Sequence, residues 1–92
     1  MRVRNMTSER SGREVANQFE IFDDEGNRFF QSYGSMIAKR ERGGRVLLDA
    51  HYWDYSRTTG KYRNQFLGEG IEATRKKIES GIYTLTNLNE GA

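Results

Sequence analysis

Residues 49–67 read DAHYWDYSRTTGKYRNQFL, and this stretch decides how the two halves of the chain are joined. It contains the only Trp and the only His of the 92 residues, together with three of the five Tyr residues. Aromatic rings with a polar group bury a large area while keeping a hydrogen bond within reach, which suits either the lid of a small core or the centre of a contact surface. The stretch connects a strand-like part of the sequence to a helix-like part.

The second half of this stretch has two interpretations. In the first, Thr58 or Thr59 caps a short helix in which Tyr62 and Phe66 lie one turn apart. In the second, a hairpin turn at Thr59 leads into a strand over residues 61–67. The helix is the favoured alternative of the two.

The residues before this stretch predict two hairpins. Apolar and polar side chains alternate over residues 15–21, and residues 24–27 supply turn chemistry before an aromatic run at 28–33. Gly43 and Gly44 separate two further β-like runs and favour a tight turn. Four antiparallel strands should therefore precede the aromatic stretch. Their sheet should have one apolar face and one face exposed to solvent. The apolar face of the first strand is expected to carry Val15, Asn17, Phe19 and Ile21.

The residues after Gly70 predict a helix and a last strand. Ile71 and Ile78 share a helical face, Gly81 ends the helix, and residues 82–88 alternate and are rich in β-formers. The predicted fold class is therefore α+β, with a small antiparallel β-sheet of four to five strands and one or two helices packed on one face. The expected core consists of Phe19, Ile21, Phe29, Ile37, Val46, Leu48, Trp53, Phe66, Ile71, Ile78 and Leu85.

Length and composition predict one domain, because 92 residues are too few for two self-sufficient cores. The chain has no Cys, which fits a reducing compartment. Residues 1–14 lack a periodic apolar pattern and are expected to form a mobile N-terminal arm before a single α+β domain at 15–89. No apolar run suits a signal peptide or a membrane span, so we expect a cytoplasmic protein without a membrane partner.

Few residues suggest catalysis or metal binding. Asp49, His51 and Asp54 are a thin ligand set, because on a strand Asp54 points away from the other two. His51 as an acid or base would need a nucleophile or a carboxylate placed by the fold, and the Gly pairs lack the rest of a phosphate-binding loop. We therefore predict no enzyme activity, no catalytic or metal-binding residue and no cofactor.

Residues 52–63, from Tyr52 to Arg63, are rich in cations and aromatic rings, and this run is the best functional candidate. In one interpretation the rings cap the core and the cations form a solvated rim. In the other, they form a contact surface for an acidic protein face, for phosphates or for stacked bases. The predicted binding residues are Tyr55, Arg57, Lys61, Tyr62 and Arg63.

Several motifs of the chain resemble a known family. They are VANQF at 15–19, FQSY at 30–33 followed by Ser35, Ile37 and Ala38, LD at 48–49, YWDYS at 52–56 and TTGKYRNQFL at 58–67. Over roughly residues 15–89 the sequence resembles small proteins from phages and mobile elements that are classed as a domain of unknown function. The resemblance implies such an origin and brings no established activity.

Small phage proteins without catalytic residues are frequently accessory factors, among them inhibitors of host defence such as anti-CRISPR proteins, which work by occupying a surface. The resemblance thus implies an accessory protein in the host cytoplasm that binds a host protein or ribonucleoprotein complex without catalysis. The alternative is a small basic protein that binds nucleic acid with Arg and aromatic side chains, although the net charge of +2 is too small to establish this by itself.

Overall fold

The computed structural model describes residues 1–89, which form six strands and two helices. In chain order the elements are β1 (Arg2–Thr7), β2 (Glu14–Phe22), β3 (Arg28–Ser32), β4 (Ser35–Arg40), β5 (Val46–Asp49), α1 (Arg57–Leu67), α2 (Ile71–Glu79) and β6 (Tyr83–Thr86).

All six strands belong to one sheet, in the order β1-β2-β3-β4-β5-β6. The first five strands pair antiparallel, whereas β6 pairs parallel to β5. A parallel pair needs a long crossover, and α1 and α2 supply it while they pack on one face of the sheet. The predicted α+β class is confirmed. The sheet has six strands rather than four or five, and it is mixed rather than purely antiparallel.

Strand β1 contradicts the predicted mobile arm at residues 1–14. It pairs with β2 and places Arg4 opposite Glu20. Met6 reaches the core from this strand and is 2% exposed. The other inward positions of β1 are Arg2 and Arg4, whose long side chains cover sheet surface where apolar residues would normally lie. The strand therefore shows no apolar period in the sequence.

Asn17 interrupts β2 with a left-handed backbone conformation, φ 67°. After this interruption Glu20 lies on the face covered by the helices, and only 8% of it is exposed. Phe19 and Ile21 alternate with it and lie half-buried on the open face. The predicted inward face is therefore wrong for these two residues. Val15, which precedes the interruption, does pack against the core.

The core lies between the covered face of the sheet and the two helices. Phe30 of β3 stacks on Phe66 of α1, with ring centroids 5.9 Å apart. A contiguous cluster of buried side chains surrounds this pair. Its members are Met6, Phe30, Ile37, Ala38, Val46, Leu48, Tyr62, Phe66, Leu67 and Tyr83.

The expected core is partly confirmed. Its buried members are Ile37, Val46, Leu48 and Phe66. Trp53 and Ile78 are partly buried and pack against the cluster. Leu85 lies on the edge strand β6 and is 40% exposed, so its placement in the core is wrong. The remaining expected residues are only half-buried, namely Phe19, Ile21, Phe29 and Ile71.

Helix α1 confirms the helical interpretation of residues 58–67. Ser56 caps it, and its Oγ accepts a hydrogen bond from the Thr59 backbone N–H at 3.2 Å. Gly68 ends the helix in the left-handed region, φ 72°. Thr59 is not the cap, because it points into the core, where its hydroxyl lies 2.9 Å from that of Ser32.

Glu69, between the two helices, connects α2 to the sheet. Its carboxylate accepts hydrogen bonds from the Thr74 hydroxyl at 2.8 Å and from the Lys77 ammonium group, which lies 5.3 Å from the Tyr83 ring. Burial alone would raise the pKa of Glu69, but hydrogen bonds from Lys77, Thr74 and Tyr83 outweigh it and hold the pKa below its ordinary value. This network fixes α2, the predicted second helix, against β6.

Candidate binding surface

Asp49 holds the loop that leads into α1. Its carboxylate accepts backbone hydrogen bonds from Tyr52 at 2.8 Å, His51 at 3.1 Å and Leu88 at 2.8 Å. The residue is only 2% exposed. One carboxylate at the end of β5 therefore fixes both the loop that follows it and the chain after β6.

Burial alone would raise the pKa of Asp49, but the N–H groups of Leu88, Tyr52 and His51, with the Asn89 side chain, outweigh it and lower the pKa. The carboxylate is thus ionised and structural. Among residues 1–89, no group of three or more His, Cys, Asp or Glu side chains is placed to hold a metal ion.

Three of the predicted binding residues lie exposed around the start of α1. Tyr55 is 64% exposed, and its ring contacts the Tyr52 ring edge to face, with centroids 5.3 Å apart. Arg57 and Lys61 are also exposed, and they lie one helical turn apart on the same side of α1. Tyr55, Arg57 and Lys61 are called the α1 surface below.

Arg63 does not belong to this surface, and its placement among exposed binding residues is wrong. It is 1% exposed. Its guanidinium group donates to the Trp53 carbonyl at 2.8 Å, to the Asp54 carboxylate at 3.1 Å and to the Asn64 side-chain oxygen at 2.9 Å. It also lies 5.4 Å from the centroid of the Trp53 ring. Arg63 therefore joins the loop to α1 from the inside.

Tyr62 is likewise buried, at 5% exposure, and belongs to the core cluster. The run from Tyr52 to Arg63 thus combines both interpretations of the sequence. Tyr62 and Arg63 serve the core, while the α1 surface faces solvent. The helical period explains the division, because Tyr62 and Arg63 follow Thr59 by three and four positions and all three lie on the buried side of α1.

A second group of cations, which the sequence did not single out, lies on the sheet near the last turn of α1. Its members come from three strands and surround the rings of Phe22 and Phe66. Only the register of the strands brings these residues together. The sequence could therefore have indicated this group only through a correct pairing of β1 with β2. They are Arg2, Arg4, Arg28 and Arg40, called the arginine cluster below.

No helix within residues 1–89 is long and apolar enough to cross a membrane.

The fold and the two exposed cationic groups define a small α+β protein with surface features that suit binding. The chain belongs to a family of unknown function, DUF8033, whose family model matches residues 1–83. This confirms the expected membership in a domain family of unknown function. Neither a comparison with curated proteins nor one with solved structures finds a match.

Proposed function

We propose that this protein acts by non-catalytic binding of a macromolecular partner through the α1 surface. The observation that carries the proposal is the joint exposure of Tyr55, Arg57 and Lys61 at a helix start held by Ser56 and Asp49. A ring beside two cations supplies the anchor and the charged rim of a contact patch. Because both charges are positive, the proposed partner presents an acidic face.

The proposed partner is a host protein or ribonucleoprotein complex, and the proposed role is that of a phage or mobile-element accessory protein in the host cytoplasm. Its particular form would be inhibition of a host defence complex by occupation of a surface, as anti-CRISPR proteins do. Support for this role comes from the resemblance of residues 52–67 to small proteins of phages, together with the fixed and exposed α1 surface.

Affinity capture from host lysate, followed by titration of the captured partner, tests the α1 surface. Arg57→Ala/Lys61→Ala should reduce affinity for that partner by at least about tenfold, the scale of losing contact-patch charges near an anchor. Arg42→Ala/Arg45→Ala removes the same charge from the exposed turn between β4 and β5 and serves as the matched control. Equal loss in the two variants would contradict the assignment of the site.

The alternative function, nucleic-acid binding by the same cations, predicts a different response. Capture would then disappear after nuclease treatment, and the affinity would fall steeply and log-linearly with salt. A protein interface centred on Tyr55 responds more mildly to salt and loses affinity in Tyr55→Ala. Nuclease-sensitive capture that Arg57→Ala/Lys61→Ala abolishes would favour the alternative, whereas nuclease-resistant capture that Tyr55→Ala weakens would favour the protein partner.

A further inference from the structure

Three guanidinium groups of the arginine cluster surround one phenylalanine ring. The guanidinium carbons of Arg2, Arg4 and Arg28 lie 4.7, 5.2 and 5.6 Å from the centroid of the Phe22 ring. Attraction between each cation and the ring holds the side chains in place. The ring thereby gathers like charges that would otherwise spread apart in water.

The cluster continues across the sheet towards α1. Arg28 and Arg40 lie 5.4 and 6.0 Å from the centroid of Phe66. In the strand register, Arg2 is opposite Phe22, Phe22 is opposite Arg28, and Arg28 is opposite Arg40. With neighbouring strands about 4.8 Å apart, these residues form a row of roughly 15 Å across four strands.

One carboxylate contacts the cluster. Glu20 accepts from Arg28 at 2.7 Å and from Arg4 at 3.4 Å, and within residues 1–89 no other carboxylate lies within 4.0 Å of these arginines. The nearby Asp23 carboxylate instead accepts hydrogen bonds from the backbone and side chain of Asn27 within its own turn. The cluster therefore holds four positive charges against one negative charge, an arrangement that an added anion stabilises.

The arginines of the cluster are accessible, in contrast to Arg63. The Arg4 and Arg28 side chains are 60% and 39% exposed, and Arg2 is exposed as well. Each guanidinium group carries five N–H donors in a fixed planar fork, and the contact with the ring uses none of them as a conventional hydrogen-bond donor. Such a fork matches the oxygens of a phosphate group in two parallel hydrogen bonds.

From this geometry we infer that the arginine cluster binds the phosphate backbone of single-stranded nucleic acid. A row of cations across four strands matches a linear polyanion better than a single small anion. The guanidinium groups gathered around the partly buried Phe22 ring add planes on which an unpaired base can stack, as in other single-strand sites. This site lies at the opposite end of α1 from the α1 surface and does not depend on the function proposed for that surface.

The test compares two doubly substituted variants with equal charge. Arg2→Ala/Arg4→Ala removes two exposed arginines of the cluster but keeps Arg28 paired with Glu20. Arg10→Ala/Arg13→Ala removes two exposed arginines from the connection between β1 and β2 and is the control. Binding of dye-labelled oligo(dT) and oligo(U) of about 15 nucleotides is measured by fluorescence anisotropy between about 50 and 200 mM salt.

The cluster variant should bind either oligonucleotide at least about tenfold more weakly than the native chain, and the control less than about threefold. Each lost phosphate contact contributes about 0.7 to the slope of log affinity against log salt, so the cluster variant should lower this slope by about 1.4. Arg2→Lys/Arg4→Lys keeps both charges and should retain the slope. Thermal melting of each variant verifies that it is folded.

Four results would overturn the inference. The first is that the native chain binds neither oligonucleotide at about 50 mM salt, and the second is that the cluster variant and its control are weakened equally. The third is that duplex DNA binds as tightly as the oligonucleotides, and the fourth is that poly-glutamate competes as effectively as a nucleic acid does. Arg57→Ala/Lys61→Ala should bind the oligonucleotides like the native chain. Failure of this inference is therefore distinguishable from failure of the function proposed for the α1 surface.

Discussion

Arg63 and the arginines of the arginine cluster have opposite surroundings. Arg63 is buried, and its guanidinium group donates to oxygens of Trp53, Asp54 and Asn64. In the arginine cluster, the guanidinium groups lie near aromatic rings, and only those of Arg4 and Arg28 contact a carboxylate, that of Glu20. The availability of a cation therefore depends on the acceptors that the fold supplies. The number of cations nearby in the sequence does not determine it.

The largest expected effect comes from removing the buried arginine. Arg63→Ala should lower the free energy of unfolding by about 3 kcal/mol or more, because it leaves three oxygen acceptors without their donor and opens a space beside Trp53. Domains of this size have about 5–15 kcal/mol in total, so the loss should be a large share of the stability. Urea denaturation measures the difference.

Arg63→Lys is the informative companion of this variant. A lysine keeps the charge, but its single nitrogen cannot take the positions of both guanidinium nitrogens that contact the three oxygen acceptors, so most of the loss should remain. A loss below about 1 kcal/mol in Arg63→Ala would show that Arg63 resembles an exposed arginine and would remove the contrast with the cluster.

Asp49 should give the next largest effect, since it holds the loop before α1. Asp49→Ala leaves the N–H groups of His51, Tyr52 and Leu88 without their charged acceptor, which should cost about 2 kcal/mol in the free energy of unfolding. Hydrogen exchange should show faster exchange of the Tyr52 amide. Unchanged protection of that amide would mean that the loop is held by other contacts.

Acid should weaken the fold at two carboxylates, Asp49 and Glu69. The folded-state pKa values of Asp49 and Glu69 lie below the ordinary values of 3.8 and 4.5. A lowered carboxyl pKa stabilises the fold above the unfolded-state value and loses that contribution as the pH falls through the folded-state value. The free energy of unfolding should therefore fall below about pH 4. Glu69→Gln should show a shallower fall, and an identical pH profile would contradict this prediction.

Local signals predicted the helical half of the fold. The aromatic and apolar spacing around Tyr62, Phe66 and Ile78 and the glycines after each helix follow from the sequence, because helix periodicity and capping involve residues within a few positions. The same period also places Arg63 on the inward face with Thr59. The burial of Arg63 could therefore have been predicted once residues 58–67 were taken to be helical.

The first two strands were harder to predict because their pattern depends on distant residues. Asn17 changes the side-chain alternation of β2 by one backbone conformation, and nothing in its identity requires that choice. β1 carries Arg2 and Arg4 at inward positions, which make sense only beside Phe22. The arginine cluster was missed for the same reason. Its members come together through strand register, whereas the α1 surface is continuous in the sequence.

The smallest expected effect concerns the stability of the arginine cluster. Because the cluster carries four positive charges and one negative charge, its members repel one another more strongly when little salt is present. Arg2→Ala/Arg4→Ala should therefore change the free energy of unfolding by no more than about 0.5 kcal/mol at moderate salt.

The dependence of stability on salt sharpens the contrast with Arg63, whose charge is already surrounded by acceptors. Raising the salt from about 10 to about 300 mM screens the repulsion within the cluster, so the melting temperature of the native chain should rise more than that of Arg2→Ala/Arg4→Ala. Arg10→Ala/Arg13→Ala has the same net charge as that variant and should follow the native chain. If both variants respond to salt alike, net charge alone explains the response, and the four arginines do not act as a concentrated site.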